Sequence, residues 1–258
     1  MGARLALLGA HGGPMLLEDP RPMEPSELRA ASAELESKTP QEILAWVFDR
    51  FGAVGLSTAF GASGSVLIDM IHRMGRDPNA FTLDTRRLFP ETLELRDRLE
   101  KHYGIRIKSY EPALADAEID ARYGADLTRQ NPDQCCFVRK VEPMRRAVAG
   151  LDCWLSGLRR DQGPTRAQAP ILQAVALEGG RTVVKCHPLV AWGRREVWKY
   201  IFENQVPYHV LLDQGYASVG CVPCTTPVEV GEGERDGRWR GQLKTECGIH
   251  TQLGEIKS

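Results

Sequence analysis

Apolar runs of two periodicities alternate along this chain, and that alternation restricts its fold more than any other feature. AVGLSTAF (53–60), AFTLD (80–84), IRIKSYEP (105–112), CWLSGLR (153–159) and TVVKCHP (182–188) read as strands. VLIDMIHRM (66–74) has helical spacing, and so does PETLELRDRLEKHYG (90–104), with Pro at its start and Gly at its end. Strands separated by helices are joined by crossovers, so they run parallel, and a parallel sheet needs cover on both faces. The expected class is therefore α/β: a parallel twisted sheet with helices on both faces. A chain of 258 residues fills one such domain, placed at 26–230. Periodicity fails at both ends. MGARLALLGAHGG has one Arg and an apolar patch too short for a secretory leader, so 1–25 is expected to be a disordered lead. From Gly231 onward GEGERDGRWRG offers little to bury, so 231–258 is expected to be a mobile tail.

Composition narrows the partners. A net charge of −1 gives no field to recruit nucleic acid, and no apolar run approaches the ~20 residues of a membrane span. Seven cysteines, an odd count with no leader, argue against a secreted disulfide framework and for a reducing, cytoplasmic setting. The sequence leaves the oligomeric state open, a homo-oligomer included.

Ligands of open parallel sheets bind beyond the carboxyl ends of the strands. Three such ends carry anion chemistry here. Gly61-Ala62-Ser63 follows the first strand and opens a helix, where small residues let backbone N–H groups approach an anion. A plain strand-to-helix turn would use the same residues, and no Walker lysine follows. LDTRRLFPET places Arg87 after the second strand, and SGLRRDQGPTR places Arg159 and Arg166 after the fourth. Together the three loops point to an anionic nucleotide.

Cys221-Val222-Pro223-Cys224 has metal-ligand spacing, and Cys135-Cys136 supplies a second pair. Zinc and an iron–sulfur cluster both accept four thiolates. Neighbours on a helix diverge by about 100°, so an adjacent pair meets one centre only at a strained or terminal turn, which a larger cluster tolerates better. Lys140 stands one turn beyond Cys136 on the same face, placed to tune such a centre or to reach a phosphate or sulfate. Cys153, Cys186 and the neighbouring His187 read as buried packing residues. The terminal TECGIH is left over: a cysteine, Cys247, far from any core, with His250 three residues on to pair with its thiolate or to bind phosphate.

Taken in order, CC…CVPC, LDTRRLFPET, SGLRRDQGPTRAQAP and ECGIH resemble the assimilatory adenylyl-sulfate (APS) reductases, which stand with the phosphoadenylyl-sulfate (PAPS) reductases in the adenine-nucleotide α-hydrolase-like group. The resemblance covers about 40–250. It implies thioredoxin-dependent reduction of APS to sulfite and AMP, with Cys247 as nucleophile and a [4Fe–4S] cluster on Cys135, Cys136, Cys221 and Cys224. It places Lys140, Arg159, Arg235 and Arg238 around the sulfate and phosphate, and Arg87 on the arginine of the family's LDTGR stretch. All four cluster cysteines favour APS over PAPS. The chain departs from the family at Arg86 for the usual Gly, Ala59 for Ser, Ser63-Gly64 for an acidic pair, and Phe137 for Arg.

In the expected mechanism a thiolate attacks the sulfuryl sulfur, AMP leaves, and thioredoxin releases sulfite from the cysteine S-sulfonate. The 16 residues from Gly231 to Cys247 reach about 55 Å when extended. The sulfur can then serve a buried nucleotide and an external thiol in turn. Glu246 opposes a thiolate and is read at most as orienting the tail. Other readings are a PAPS reductase, a PP-loop ATP-pyrophosphatase or tRNA-thiolating enzyme, and a non-catalytic iron–sulfur nucleotide sensor. FGASGS lacks the Asp of the SGGxDS loop that the second needs, and the sensor leaves ECGIH without a purpose.

Overall fold

The structure, a computed structural model, describes residues 23–250 and not the side chain of His250. What was expected of 1–22, of 251–258 and of the His250 side chain lies outside the described residues. Helices α1 (Pro25–Leu35) and α2 (Pro40–Arg50) lead into β1 (Val54–Ser57), α3 (Ala62–Arg73), β2 (Ala80–Leu83), α4 (Pro90–Tyr103) and β3 (Lys108–Tyr110). Short helices α5 (Asp116–Tyr123), α6 (Leu127–Gln130) and α7 (Pro132–Cys136) follow, then a π-helical stretch Phe137–Val141 and α8 (Glu142–Val148). The chain continues through β4 (Cys153–Ser156), β5 (Leu172–Ala176), β6 (Thr182–Cys186) and α9 (Arg194–Asn204).

The six strands form one sheet in the order β3-β2-β1-β4-β6-β5. β1 pairs in parallel with β2 and β4, β2 with β3, and β4 with β6. β5 departs from the all-parallel expectation. It runs antiparallel to β6, with Leu172 opposite Cys186 and Ala176 opposite Thr182. The order reverses at β1 and β4, which stay paired to Ser57 and Ser156 at their carboxyl ends, so the connections after them leave in opposite directions and open a crevice.

Both faces are covered, as near-continuous apolar strands require. Leu56, Cys153, Leu155 and Cys186 pack with residues of α1, α2, α3, α4 and α9, including Leu28, Leu44, Ile68, Leu95 and Val197. Phe81, Trp154, Val175 and Val183 face the other way, onto Val141, Met144, Ala147 and Val148. Cys153 and Cys186 are fully buried. Gly104 ends α4 at φ 65, a left-handed turn that glycine adopts without strain.

Residues 231–250 do not stand away from the domain. Thr226 N donates to Gly237 O at 2.8 Å and Trp239 N to Cys224 O at 3.1 Å, and Trp239 is 2% exposed. The sequence offered little to bury there; the Trp239 indole, buried Cys247 and ion pairs of Lys244 and Glu246 with the domain seat the segment.

Two buried histidines tie stability to pH. His187 and His209 lie below the usual imidazole range, chiefly through burial, with Lys185 and Arg166 adding to the effect on His187. Each stays neutral when folded, while its unfolded form takes a proton below about pH 6.5. Stability present above that pH is lost as pH falls, by about 1.4 kcal/mol per unit and histidine until the folded pKa is reached. Urea unfolding at pH 5.5 is expected to show less stability than at pH 7.5, with His187 contributing the larger part and His209→Gln removing the smaller. Equal stability at both pH values would contradict this account.

Candidate active site

The crevice between β1 and β4 opens into a cleft of about 210 Å³. After β1 the chain turns through Phe60 at φ 59, with Phe60 N donating to Thr58 Oγ1 at 2.9 Å, and Gly61 then caps α3. Gly61, Ala62 and Ser63 line the cleft, so the N-terminal turn of a 12-residue helix faces it. After β4, Gly157 lies against Ser63 and Gly64, and a side chain on Gly157 would press on that turn. The two loops thus interlock through glycines.

Cations converge on the cleft from four segments. Lys140 comes from the π-helical stretch, Arg159 and Arg166 from the loop after β4, and Arg235 and Arg238 from the tail; Arg194, not foreseen, opens α9 there. Their partners divide them. Arg159 donates to Ser63 Oγ at 2.7 Å, Asp161 Oδ1 at 2.9 Å and Glu234 Oε2 at 2.5 Å. Arg166 and Arg235 are bound to Glu246. Arg238 donates only to Cys224 O, Ser218 Oγ and Val219 O. Among the described residues neither Lys140 nor Arg238 has a carboxylate within ion-pair distance. Among those residues the Arg194 side chain likewise has no carboxylate within ion-pair distance, so these three cations remain for an anion. Burial pulls Arg235 down to about 10, still charged at neutral pH. Burial also opposes the charge of Lys140, but the sulfurs of Cys221 and Cys247 outweigh it and hold Lys140 above the usual range.

Cys247 is buried and borders the cleft. Its thiol sits well below the ordinary value: a hydrogen bond from Cys136 favours the thiolate, burial opposes it, and Lys140, the Ile249 amide and Arg238 reinforce it. Cys136 moves the opposite way, through the same hydrogen bond and burial. Trp239 packs against Cys136, Cys221, Cys224 and Cys247 and carries three cations on its ring: Arg238 at 4.6 Å, Lys244 at 5.6 Å and Arg235 at 5.7 Å.

Cys135, Cys136, Cys221 and Cys224 line one small cavity. α7 ends at Cys136 and the wider π-helical turn begins, so the adjacent pair sits at a terminal turn, as the sequence argument required. All four thiols are free. The hydroxyls of Thr85 and Thr128 lie 3.2 Å from Cys221 Sγ and 3.4 Å from Cys135 Sγ. Among the described residues the buried indole Nε1 of Trp239 has no hydrogen-bond partner. A soft donor set with polar hydrogens around it fits a thiolate-ligated metal centre. Among the described residues no three His, Cys, Asp or Glu side chains are disposed to hold a single ion.

A third cavity, about 80 Å³ and mostly apolar, opens between β1 and β2 beside Phe81, Leu83, Leu88 and Met144. Of the residues around these three cavities, only Lys140 borders all of them. Arg87 lies apart from the arginines of the cleft: with Arg139 it borders the cysteine cavity, and neither of the other two. Arg86 explains why the resembled family prefers glycine there. Its φ is 57, and bonds to Glu111, Pro112 O and Leu114 O hold it. Sequence reasoning missed Glu234, Trp239, Ser218 and Gly220. Gly220 alone left a trace, as the small residue before CxxC, and the Arg238 guanidinium rests directly on it.

Known proteins are similar to this chain in sequence and fold. The chain is 41% identical over 236 residues to the adenosine 5'-phosphosulfate reductase of Salinibacter ruber, covering 91% of this chain and 92% of that one. It is 41% identical over 241 residues to the phosphoadenosine 5'-phosphosulfate reductase of Gloeobacter violaceus, covering 91% and 99%. Among solved structures, the phosphoadenylyl-sulfate reductase of Candida auris, a phosphate complex, superposes with a TM-score of 0.68 at 31% identity, covering 80% of this chain and 98% of that one. The FMN adenylyltransferase of Candida glabrata shares the fold, with a TM-score of 0.57 at 13% identity over 87% and 80%. The phosphoadenosine phosphosulfate reductase domain model matches residues 53–227, from β1 to just past the CxxC, and this chain belongs to that family.

Proposed function

We propose that the protein reduces adenylyl sulfate to sulfite and AMP with a thioredoxin-type dithiol. The observation that carries this reading is a buried cysteine, Cys247, at the carboxyl edge of the sheet beside two cations that no carboxylate neutralises, Lys140 and Arg238. The nucleoside enters the apolar cavity beside β2, its phosphate meets the N-terminus of α3, and its sulfate lies between Lys140 and Arg238. The Cys247 thiolate attacks sulfur, the S–O bond to phosphate breaks, and AMP leaves with that electron pair. A thiolate of the dithiol then attacks Cys247 Sγ. Sulfite departs with the S–S electrons, and the second thiol resolves the mixed disulfide and returns Cys247. Two electrons come from the dithiol, and none are needed from elsewhere.

Cys135, Cys136, Cys221 and Cys224 would hold a [4Fe–4S] cluster. Four thiols around one cavity support a thiolate-ligated centre, and an adjacent pair at a terminal turn suits a larger cluster better than a single zinc. When bound, the cluster supplies fixed charge beside Lys140. Were Cys136 metal-ligated it could not donate to Cys247, and the groups left to favour the thiolate against burial would be Lys140, the Ile249 amide and Arg238. Free thiols and a dithiol reductant suit the cytoplasm; among the described residues no helix is long and apolar enough to cross a membrane.

Anaerobic purification with iron and sulfide analysis, then APS-dependent sulfite release with thioredoxin, tests this reading. No sulfite, or a tenfold preference for PAPS in kcat/KM, overturns it. PAPS is the second reading, supported by the name of the Gloeobacter relative. Gly220→Ala is a finer check. A methyl there displaces the Arg238 guanidinium. We expect KM for the anionic substrate to rise about 10- to 100-fold with little change in melting temperature. An unchanged KM removes Arg238 from the sulfate site.

A further inference from the structure

The charge next to the nucleophile has a destination. Arg166 grips Glu246 with two bonds, Nε to Oε2 and Nη2 to Oε1, both 2.8 Å, and Arg235 Nη2 adds a third to Oε1 at 2.9 Å. Cys247 N also donates to Oε1 at 2.9 Å. The three side chains are 9%, 13% and 10% exposed for Arg166, Arg235 and Glu246. Gln162 Oε1 accepts from Arg166 Nη1 at 2.5 Å, fixing that guanidinium to the loop after β4. Arg235 lies over the Trp239 ring. One carboxylate thus joins the sheet edge to the tail at the residue before the reacting sulfur.

Arg166 and Arg235 were both expected to contact substrate. The structure commits them to Glu246, as it commits Arg159 to Glu234 and Asp161. With two guanidinium groups upon it, Glu246 adds little net negative charge beside Cys247.

We propose that Glu246 is a positioning residue, a latch that binds Arg166 and Arg235 to hold the Cys247 sulfur in the cleft for attack. Its opening releases the tail to the external dithiol. This rests on the reaction proposed above. A latch matters only to the step carried out inside the cleft. Losing it slows AMP release and leaves sulfite release unharmed, since that step needs the tail free. A residue needed only for folding would slow both.

The test separates the half-reactions on full-length protein. Glu246→Gln keeps the shape and removes the charge. Without reductant, APS should release AMP in a burst, slowed about 100-fold or more in the variant, because breaking a buried ion pair leaves charges unpaired. S-sulfonated protein, loaded by long incubation, should discharge to thioredoxin at the wild-type rate or faster. A burst within twofold of wild type overturns the latch, and so does a parallel fall in both steps. Trypsin reads the latch without activity: cleavage at Arg240 and Lys244 should quicken at least tenfold in Glu246→Gln while the domain stays resistant. Unchanged cleavage overturns the proposal. If wild type gives no AMP burst, the reaction is misassigned, and the trypsin result still decides the latch.

Discussion

Cys247→Ser is expected to abolish turnover, with kcat at least about 10⁴-fold below wild type, the scale on which losing a covalent nucleophile is felt. A serine hydroxyl does not ionise near neutral pH, and the cations that favour a thiolate do not bring an alcohol into range. AMP should still bind, because the α3 N-terminus and the apolar cavity are untouched. The decisive measurement is mass spectrometry after incubation with APS and no reductant. Wild type should gain one SO₃ group per chain on the peptide containing Cys247, and the variant none. A sulfonate that persists in Cys247→Ser would shift the chemistry to another thiol. Cys136 is then the first to examine, since it is hydrogen-bonded to Cys247.

Lys140→Ala carries the second large effect. Its ammonium borders the charged cleft, the apolar cavity and the cysteine cavity, and no carboxylate among the described residues neutralises it. Removing a preorganised charge from a reacting group costs about 3–4 kcal/mol, so kcat/KM should fall about 10²- to 10³-fold. Arginine is not expected to restore it, because a planar fork cannot replace a compact ammonium among three cavities. Iron content separates the two parts this lysine plays. If iron stays at the wild-type level while kcat/KM falls, the loss lies at the substrate. A loss of activity below tenfold would take Lys140 out of the transition state.

The sheet was legible because its strands obey local rules. β1, β2, β4 and β6 are short apolar runs between helices, and the crossovers require parallel pairing. β5 was not legible. LQAVA is rich in helix formers, and only the exposed edge of β6 makes it a strand, so tertiary pairing overrides propensity. The cysteine quartet could be read from spacing, since CxxC and an adjacent pair restrict local geometry. Arg87 lies away from the charged cleft for a related reason. Its strand end borders the apolar cavity, and the chain turns at Arg86 and carries Arg87 to the cysteines. Glu246 was opaque because its meaning lies 80 residues away at Arg166, and no local rule couples the two. What a sequence shows of a charge is its sign; its work depends on who meets it.

Trp239 gives the molecule an optical signal of its own. The ring is buried while the tail is seated, among sulfurs and beneath three cations. If the tail departs, that ring passes from a dry, polarising niche into water, and its emission should move to longer wavelength. Every catalytic cycle in which Cys247 travels to an outside thiol would then flash a change in fluorescence. The protein's own light would time a journey that sulfite release only counts.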